Sequence, residues 1–168
     1  MYLACDASLV DIKVLNKVSD ELKKQHLTLA TAESCTGGLL AHVLTNSPGS
    51  SEYFDRGVVS YSNTSKTELL GVPEHFLKTY GAVSEQVAYA MADGIRARAG
   101  VDIGLSTTGI AGPTGGTKDK PVGLVYVGLA IRSTVVVKRF LFSGDRLQNK
   151  EQACDAALSL LLDSLLNR

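Results

Sequence analysis

Apolar residues recur along this chain with two periods, one helical and one extended, and their succession sketches the fold. Ile12, Leu15, Val18 and Leu22 fall at helical intervals with charged residues between them, which predicts an amphipathic first helix over 8–25. Leu27 to Ala32 is a short apolar run that reads as a buried strand. Gly37 and Gly38 then open a second helix through Leu39, Leu40, Val43 and Leu44, and Asn46-Ser-Pro-Gly-Ser-Ser51 ends it with a cluster of turn residues. Gly57 to Tyr61 reads as the next strand. A helix capped by Asn63 or Thr64 follows, carries Lys66, Leu69 and Leu70, and stops at Gly71 and Pro73. Ser84 caps another, with Glu85 in its first turn and Val87, Met91 and Ile95 on one face.

Val101 to Thr107 predicts a third strand, which runs into a glycine-rich loop from Gly109 to Gly116 and on through Lys118 and Lys120 to Pro121. Gly123–Ile131 and Thr134–Phe142 are strand candidates joined by Arg132-Ser133, an antiparallel hairpin. Ala153, Ala156, Ala157, Leu160, Leu161 and Leu165 give a closing helix. No repeat, low-complexity tract or linker intervenes, so a single domain over 1–168 is expected. Its class is α/β: three α/β/α layers around a mixed, partly parallel sheet, with a C-terminal β-hairpin followed by a helix.

At 168 residues and 45% hydrophobic content, one domain can bury a substantial core. The 17 basic and 17 acidic side chains cancel, so no overall field draws nucleic acid or an anionic membrane, although a local basic pocket for a small anion is compatible with this balance. The N-terminal Met-Tyr-Leu-Ala-Cys-Asp has an early acid and no basic flank, which argues against a secretory signal. No apolar run approaches the roughly 18 residues of a membrane span. A cytoplasmic location is expected. Cys5, Cys35 and Cys154 are widely spaced, form no Cys-x-x-Cys pair and read as reduced thiols. His26, His42 and His75 lack metal-ligand spacing with them or with one another, so neither a metal nor another cofactor is expected.

In sheets of this kind ligands gather beyond the carboxyl ends of the parallel strands. Three polar clusters stand there: Glu33-Ser34-Cys35-Thr36, Tyr61-Ser62-Asn63 and Thr107-Thr108-Gly109. Ser34 precedes a Gly-Gly helix start whose free amides suit a phosphate or a developing oxyanion. Alternatively Thr36 caps that helix and the glycines let it pack closely. Neither Gly-x-Gly-x-x-Gly nor the P-loop pattern occurs. Cys35 is a rival nucleophile without a histidine near it in sequence, or a core thiol. Lys66 is a solvated charge or, if partly buried, a general base whose neutral amine is populated. Tyr61 is a core aromatic or a proton relay to that lysine. The segment Gly109 to Gly123 holds five glycines and two prolines, which suits backbone amides held near a ligand or a flexible surface loop. Gly144-Asp-Arg146 offers a guanidinium to an anion, or a helix cap at Asp145 beside a solvated Arg146.

Taken together, Ala32-Glu-Ser-Cys-Thr-Gly-Gly38, Pro48-Gly-Ser-Ser51, Tyr61-Ser-Asn63 with Lys66, Gly109-Ile-Ala-Gly-Pro113, Lys120-Pro-Val-Gly123 and Gly144-Asp-Arg146 closely resemble the CinA C-terminal domain family, the nicotinamide-nucleotide amidohydrolases. The resemblance runs in order from about residue 8 to the C-terminus, and it looks like the stand-alone form without the molybdopterin-binding-like domain of longer relatives. It implies hydrolysis of nicotinamide mononucleotide to nicotinate mononucleotide and ammonia by a metal-free serine and lysine mechanism. Carried onto this chain, the nucleophile is Ser51, the base Lys66 and the supporting tyrosine Tyr61, with Ser34 and Thr108 at further active-site positions. Substrate contacts are expected from Thr36, Gly37, Thr108, Gly109, Gly112 and Arg146. Two departures stand out: Thr64-Ser65 precede Lys66 where relatives commonly have Glu-Ala, and Asn149-Lys150 occupy the place of a usual Ile-Arg. A lysine there keeps the charge and loses the bidentate fork.

A strand over 57–61 rising about 3.3 Å per residue puts Ser51 at its far end from Lys66, whereas Ser34 falls beside Lys66 and Tyr61. Either the loop 48–56 folds back or a second subunit supplies one partner, and Ser34 is the rival nucleophile. The expected partners are the small-molecule substrate and further copies of the chain in a homo-oligomer, with no nucleic acid and no membrane. A reading of another class is a non-catalytic nucleotide-binding or regulatory domain, because CinA relatives are also associated with competence for DNA uptake.

Overall fold

The structure is a computed structural model and describes residues 10–167. Cys5 and the N-terminal segment used in the leader argument lie outside them. The first helix, α1 (Ile12–Lys24), starts where the Asp11 carboxylate accepts from the amides of Lys13 and Val14, and it buries Leu15, Val18 and Leu22. Strand β1 (Leu29–Glu33) is buried at every residue, and helix α2 (Leu39–Thr45) follows it directly. A 3-10 turn over Ser50–Glu52 leads into β2 (Phe54–Val59). Three helices come next: α3 (Asn63–Leu70), α4 (Glu74–Tyr80) and α5 (Glu85–Ala99). Strand β3 (Ile103–Gly109), the hairpin β4 (Leu124–Ile131) and β5 (Thr134–Leu141), and α6 (Arg146–Leu166) complete the chain.

The five strands lie in the order β2-β1-β3-β4-β5. Strand β1 pairs in parallel with β2 and β3, while β4 pairs antiparallel with β3 and with β5. Side-chain alternation splits the core in two. Leu29, Ile103, Leu105, Val127 and Leu129 pack with Leu15, Leu22, Leu40 and Leu161 under α1, α2 and α6. On the other face Ala30 and Ala32 meet Leu70, Val87, Met91 and Ile95. The mixed three-layer architecture expected from the alternation of elements is the one observed. Close approach of α5 depends on missing side chains: a Cβ on Gly104 would lie 2.1 Å from the Ala92 carbonyl oxygen. Among the described residues no helix is long and apolar enough to cross a membrane.

Several boundaries differ from expectation. Strand β2 begins three residues earlier than predicted and ends at Val59, which frees Ser60 and Tyr61 as a connection. Ser62, not Asn63 or Thr64, caps α3, its hydroxyl accepting from the Ser65 amide at 3.0 Å. Helix α4 was not foreseen, because Glu74–Tyr80 is a short segment with no buried residue and hence no apolar stripe. The chain leaves β1 to one side for β2 and then crosses to the other for β3, which makes the carboxyl end of β1 a topological switch point.

Candidate active site

Pairing at that end assembles the site. The ladder extends one residue past β1 on both sides: the Ser34 amide donates to the Thr107 carbonyl at 2.9 Å and the Ser60 amide to the Glu33 carbonyl at 2.8 Å. Ser34 therefore lies between Ser60 of one neighbour and Thr107 of the other. Helix α3 starts three residues after Ser60, and its Lys66 turns back over the strand ends. Lys66 is 0% exposed. Its ammonium donates to Ser34 Oγ at 3.0 Å, to the Ser60 carbonyl at 2.6 Å and to the Tyr61 carbonyl at 3.3 Å. It forms no ion pair with a described carboxylate. Burial disfavours the charged amine and lowers its pKa from 10.5 to about 8, with Cys35 acting in the opposite direction. The result is a serine hydroxyl beside an amine whose neutral form is accessible near neutral pH.

The turn after Ser34 is held by Glu33. Odd positions of β1 face α2, so this carboxylate points beneath the start of that helix at 1% exposure. It accepts from the amides of Gly38 at 2.9 Å, Leu40 at 3.0 Å and Ala41 at 2.8 Å, and from the Thr36 hydroxyl at 2.6 Å. The helix start that suggested an open anion site is thus already occupied by the chain's own anion. Thr36 does not cap α2: its buried hydroxyl bridges Glu33 and Thr107 Oγ1, which is 2.7 Å away. Cys35 sits in the core, and burial pushes its thiol up to about 12, ahead of a smaller upward effect of Glu33, so it is not poised as a nucleophile. Among the described residues the backbone amides of Cys35 and Thr36 donate to no oxygen of the chain and lie against the Cys35 thiol. They immediately follow Ser34, where an oxyanion would form.

Arg146 and Tyr61 close one side. The Asp145 carboxylate caps α6 in a capping box with Gln148, as one of the two sequence alternatives had it. Arg146 is not simply solvated: it donates to the Gly112 carbonyl at 2.6 Å and to the Tyr61 hydroxyl at 3.0 Å. The Tyr61 ring is 61% exposed and reaches Arg146 instead of Lys66, so in this arrangement it is a wall and not a relay to the amine. Asn149 fastens the glycine loop from behind, donating to the Ala111 and Gly144 carbonyls at 2.9 Å each and accepting from the Gly144 amide at 3.0 Å. Thr108 is buried and donates to the Ala82 carbonyl at 2.7 Å. Gly109 is the last residue of β3, where a Cβ would lie 2.6 Å from the Leu124 carbonyl. Gly112 has a φ of +89° and would bring a Cβ within 2.5 Å of Val122.

Ser51 is not brought to this group. Tyr53, two residues after it, accepts from the Leu29 amide at the start of β1, whereas Ser34 follows the end of that strand. About five residues of strand, roughly 17 Å, separate the two ends. Ser51 is exposed and, among the described residues, makes no hydrogen bond through its side chain. The loop does not fold back, so within one chain the serine at Lys66 is Ser34, not Ser51. Glu33 stands in the polar cluster after β1, but its binding of the α2 amides leaves no sequence signal beyond its parity with Leu29. Among the described residues no three His, Cys, Asp and Glu side chains form a metal-ligand group.

Comparison with known proteins identifies the family and the fold. A family model described as CinA C-terminal domain matches residues 11–165. A relative from Moorella thermoacetica, whose name refers to competence-damage induction, is 57% identical over 144 residues, covering 86% of this chain and 35% of that protein. A CinA-like protein from Chloroherpeton thalassium is 50% identical over 159 residues, covering 92% and 38%. The chain thus spans little more than a third of the length of these curated relatives. Among solved structures, the competence/damage inducible protein CihA from Agrobacterium tumefaciens superposes with a TM-score of 0.89 at 37% identity, covering 96% of this chain and 100% of the other.

Proposed function

We propose that this chain, which belongs to the CinA C-terminal domain family, hydrolyses the carboxamide of nicotinamide mononucleotide to nicotinate mononucleotide and ammonia, as a serine–lysine amidohydrolase. The single observation that carries the reading is the buried Lys66 amine 3.0 Å from Ser34 Oγ, with its pKa lowered to about 8. Neutral Lys66 takes the Ser34 proton as Oγ attacks the carboxamide carbon. The tetrahedral oxyanion is received by the amides of Cys35 and Thr36. The C–N bond then breaks, the Lys66 ammonium returns the proton to the leaving nitrogen, and ammonia departs. Water attacks the resulting ester on Ser34 while Lys66 accepts its proton, and nicotinate mononucleotide is released with the serine restored. Ser34 replaces Ser51 as nucleophile in this scheme, which then needs no residue from a second subunit. A homo-oligomer stays part of the proposal, as does a cytoplasmic setting.

The test is to incubate purified protein with nicotinamide mononucleotide, with and without a chelator, and to follow ammonia. Release in both conditions is expected. No release in either overturns the reading, and loss on chelation overturns the metal-free scheme. A second reading is a non-catalytic nucleotide-binding or competence-related regulatory domain, and the names of relatives such as the Agrobacterium protein refer to competence. Saturable binding of the mononucleotide with no ammonia from fully folded protein would select it.

A further inference from the structure

The proposed scheme accounts for the reacting end of the substrate and leaves its anionic end without a partner. The α2 amides of Gly38, Leu40 and Ala41 are bound by Glu33, and Arg146 commits two of its five N–H donors to Gly112 and Tyr61. One cation by the Ser34 turn is not committed. Lys150, on the second turn of α6, is half-buried and makes no hydrogen bond or ion pair among the described residues. Its ammonium faces Gly37: a Cβ built on that glycine would lie 3.8 Å from Nζ. Gly37 has a φ of +62° and closes the turn by donating its amide to the Ser34 carbonyl at 3.1 Å. The ends of such a four-residue turn are within about 7 Å, so the Lys150 ammonium lies on the order of 10 Å from the nucleophile. That span is comparable with a mononucleotide between its base substituent and its phosphate.

We infer that Lys150 is the cation that receives the substrate's phosphate and sets the preference for a phosphorylated amide over an uncharged one. The inference rests on the amidohydrolase reading for the position of the reacting amide. A half-buried, uncommitted ammonium at a turn without a side chain offers a compact charge to an oxyanion of a phosphate monoester. Its neighbour Asn149 anchors α6 to the glycine loop, so the start of the helix is held in place while the lysine head stays available.

The experiment compares kcat/KM for nicotinamide mononucleotide and for nicotinamide riboside in the natural protein and in Lys150→Ala, Lys150→Gln and Lys150→Arg, each first shown to be folded by circular dichroism. Loss of a charge-assisted bond to phosphate predicts that the preference for the mononucleotide falls by about ten- to a hundredfold in Lys150→Ala and Lys150→Gln, chiefly through KM. Lys150→Arg should restore most of it, and the preference of the natural protein should weaken with salt. An equal loss on both substrates, or no loss on either, overturns the inference. If the natural protein releases no ammonia, the amidohydrolase reading falls by itself. Calorimetric binding of the two compounds to the same proteins then decides the role of Lys150: a mononucleotide preference abolished by Lys150→Ala supports it, and an unchanged preference or no binding overturns it.

Discussion

Replacing Lys66 by Met removes the amine while keeping a straight, apolar side chain of similar length in a fully buried position. The consequence for stability has a sign fixed by the direction of the pKa shift. In the unfolded chain the amine titrates near 10.5, and in the folded protein near 8. Below pH 8 both states carry the proton and the folded state bears the whole cost of a buried charge. Between 8 and 10.5 the unfolded state holds more protons, so unfolding free energy rises with pH. Above 10.5 the cost is gone. At about 1.4 kcal/mol per tenfold change the full span is worth about 3 kcal/mol, of which about 1 kcal/mol falls between pH 7 and 9. Lys66→Met lacks this dependence. It also strips a donor from the carbonyls of Ser60 and Tyr61, a penalty of about 1–3 kcal/mol that does not vary with pH. The informative quantity is therefore the slope and not the absolute difference. Urea unfolding at pH 7, 8 and 9 should show the natural protein gaining on the variant by about 1 kcal/mol across the series. Parallel pH dependences would refute the claim that Lys66 is buried with a lowered pKa.

Activity should follow the same titration: kcat/KM for nicotinamide mononucleotide is expected to rise about tenfold from pH 7 to 9, levelling above a midpoint near 8, and a flat profile would remove Lys66 as the base. Ser34→Ala should lower turnover by at least about a hundredfold, whereas Ser51→Ala, at the opposite end of the sheet, should stay within about threefold; steady-state ammonia release separates the two, and the reverse pattern would restore Ser51. Glu33→Gln replaces an acceptor of four bonds to α2 and Thr36 by a group that must turn a donor toward at least one donor, so a loss of about 2–4 kcal/mol in urea melts is expected, and a loss below about 0.5 kcal/mol would contradict its capping role. Asn149→Ala should cost about 2 kcal/mol and raise KM, since the glycine loop loses its anchor on α6; unchanged KM would show that the loop is positioned by other contacts.

The layers of the fold were legible because its buried elements have clean periods. The stripes of α1, α5 and α6 each bury one face, while β1 and β4 are apolar runs buried almost throughout, and burial is what leaves such a trace. Helix α4 buries no residue and left none. The candidate site was legible in part. Placing polar clusters after strands found Ser34 and Tyr61, a lysine early in the next helix gave Lys66, and the length of β2 already separated Ser51 from Lys66. Contact between Ser34 and Lys66 depends on the parallel register Glu33↔Val59 and Glu33↔Thr107, a long-range pairing that no local spacing encodes. The same holds for the Glu33 carboxylate under α2 and for Arg146 on Tyr61, which lies 85 positions away in sequence. Hydroxyls expected to touch substrate, those of Thr36 and Thr108, prove to be spent on internal bonds because they face packed layers and not the strand ends.

The account depends most on which atom becomes acylated. Rapid mixing of the protein with nicotinamide mononucleotide, acid quenching within one turnover, and intact-mass and peptide mapping would trap the acyl-enzyme. The Ser34 mechanism predicts a nicotinate-mononucleotide acyl group on the peptide carrying Ser34, absent from Ser34→Ala. An adduct on Ser51, or turnover of Ser34→Ala at the natural rate, would contradict it.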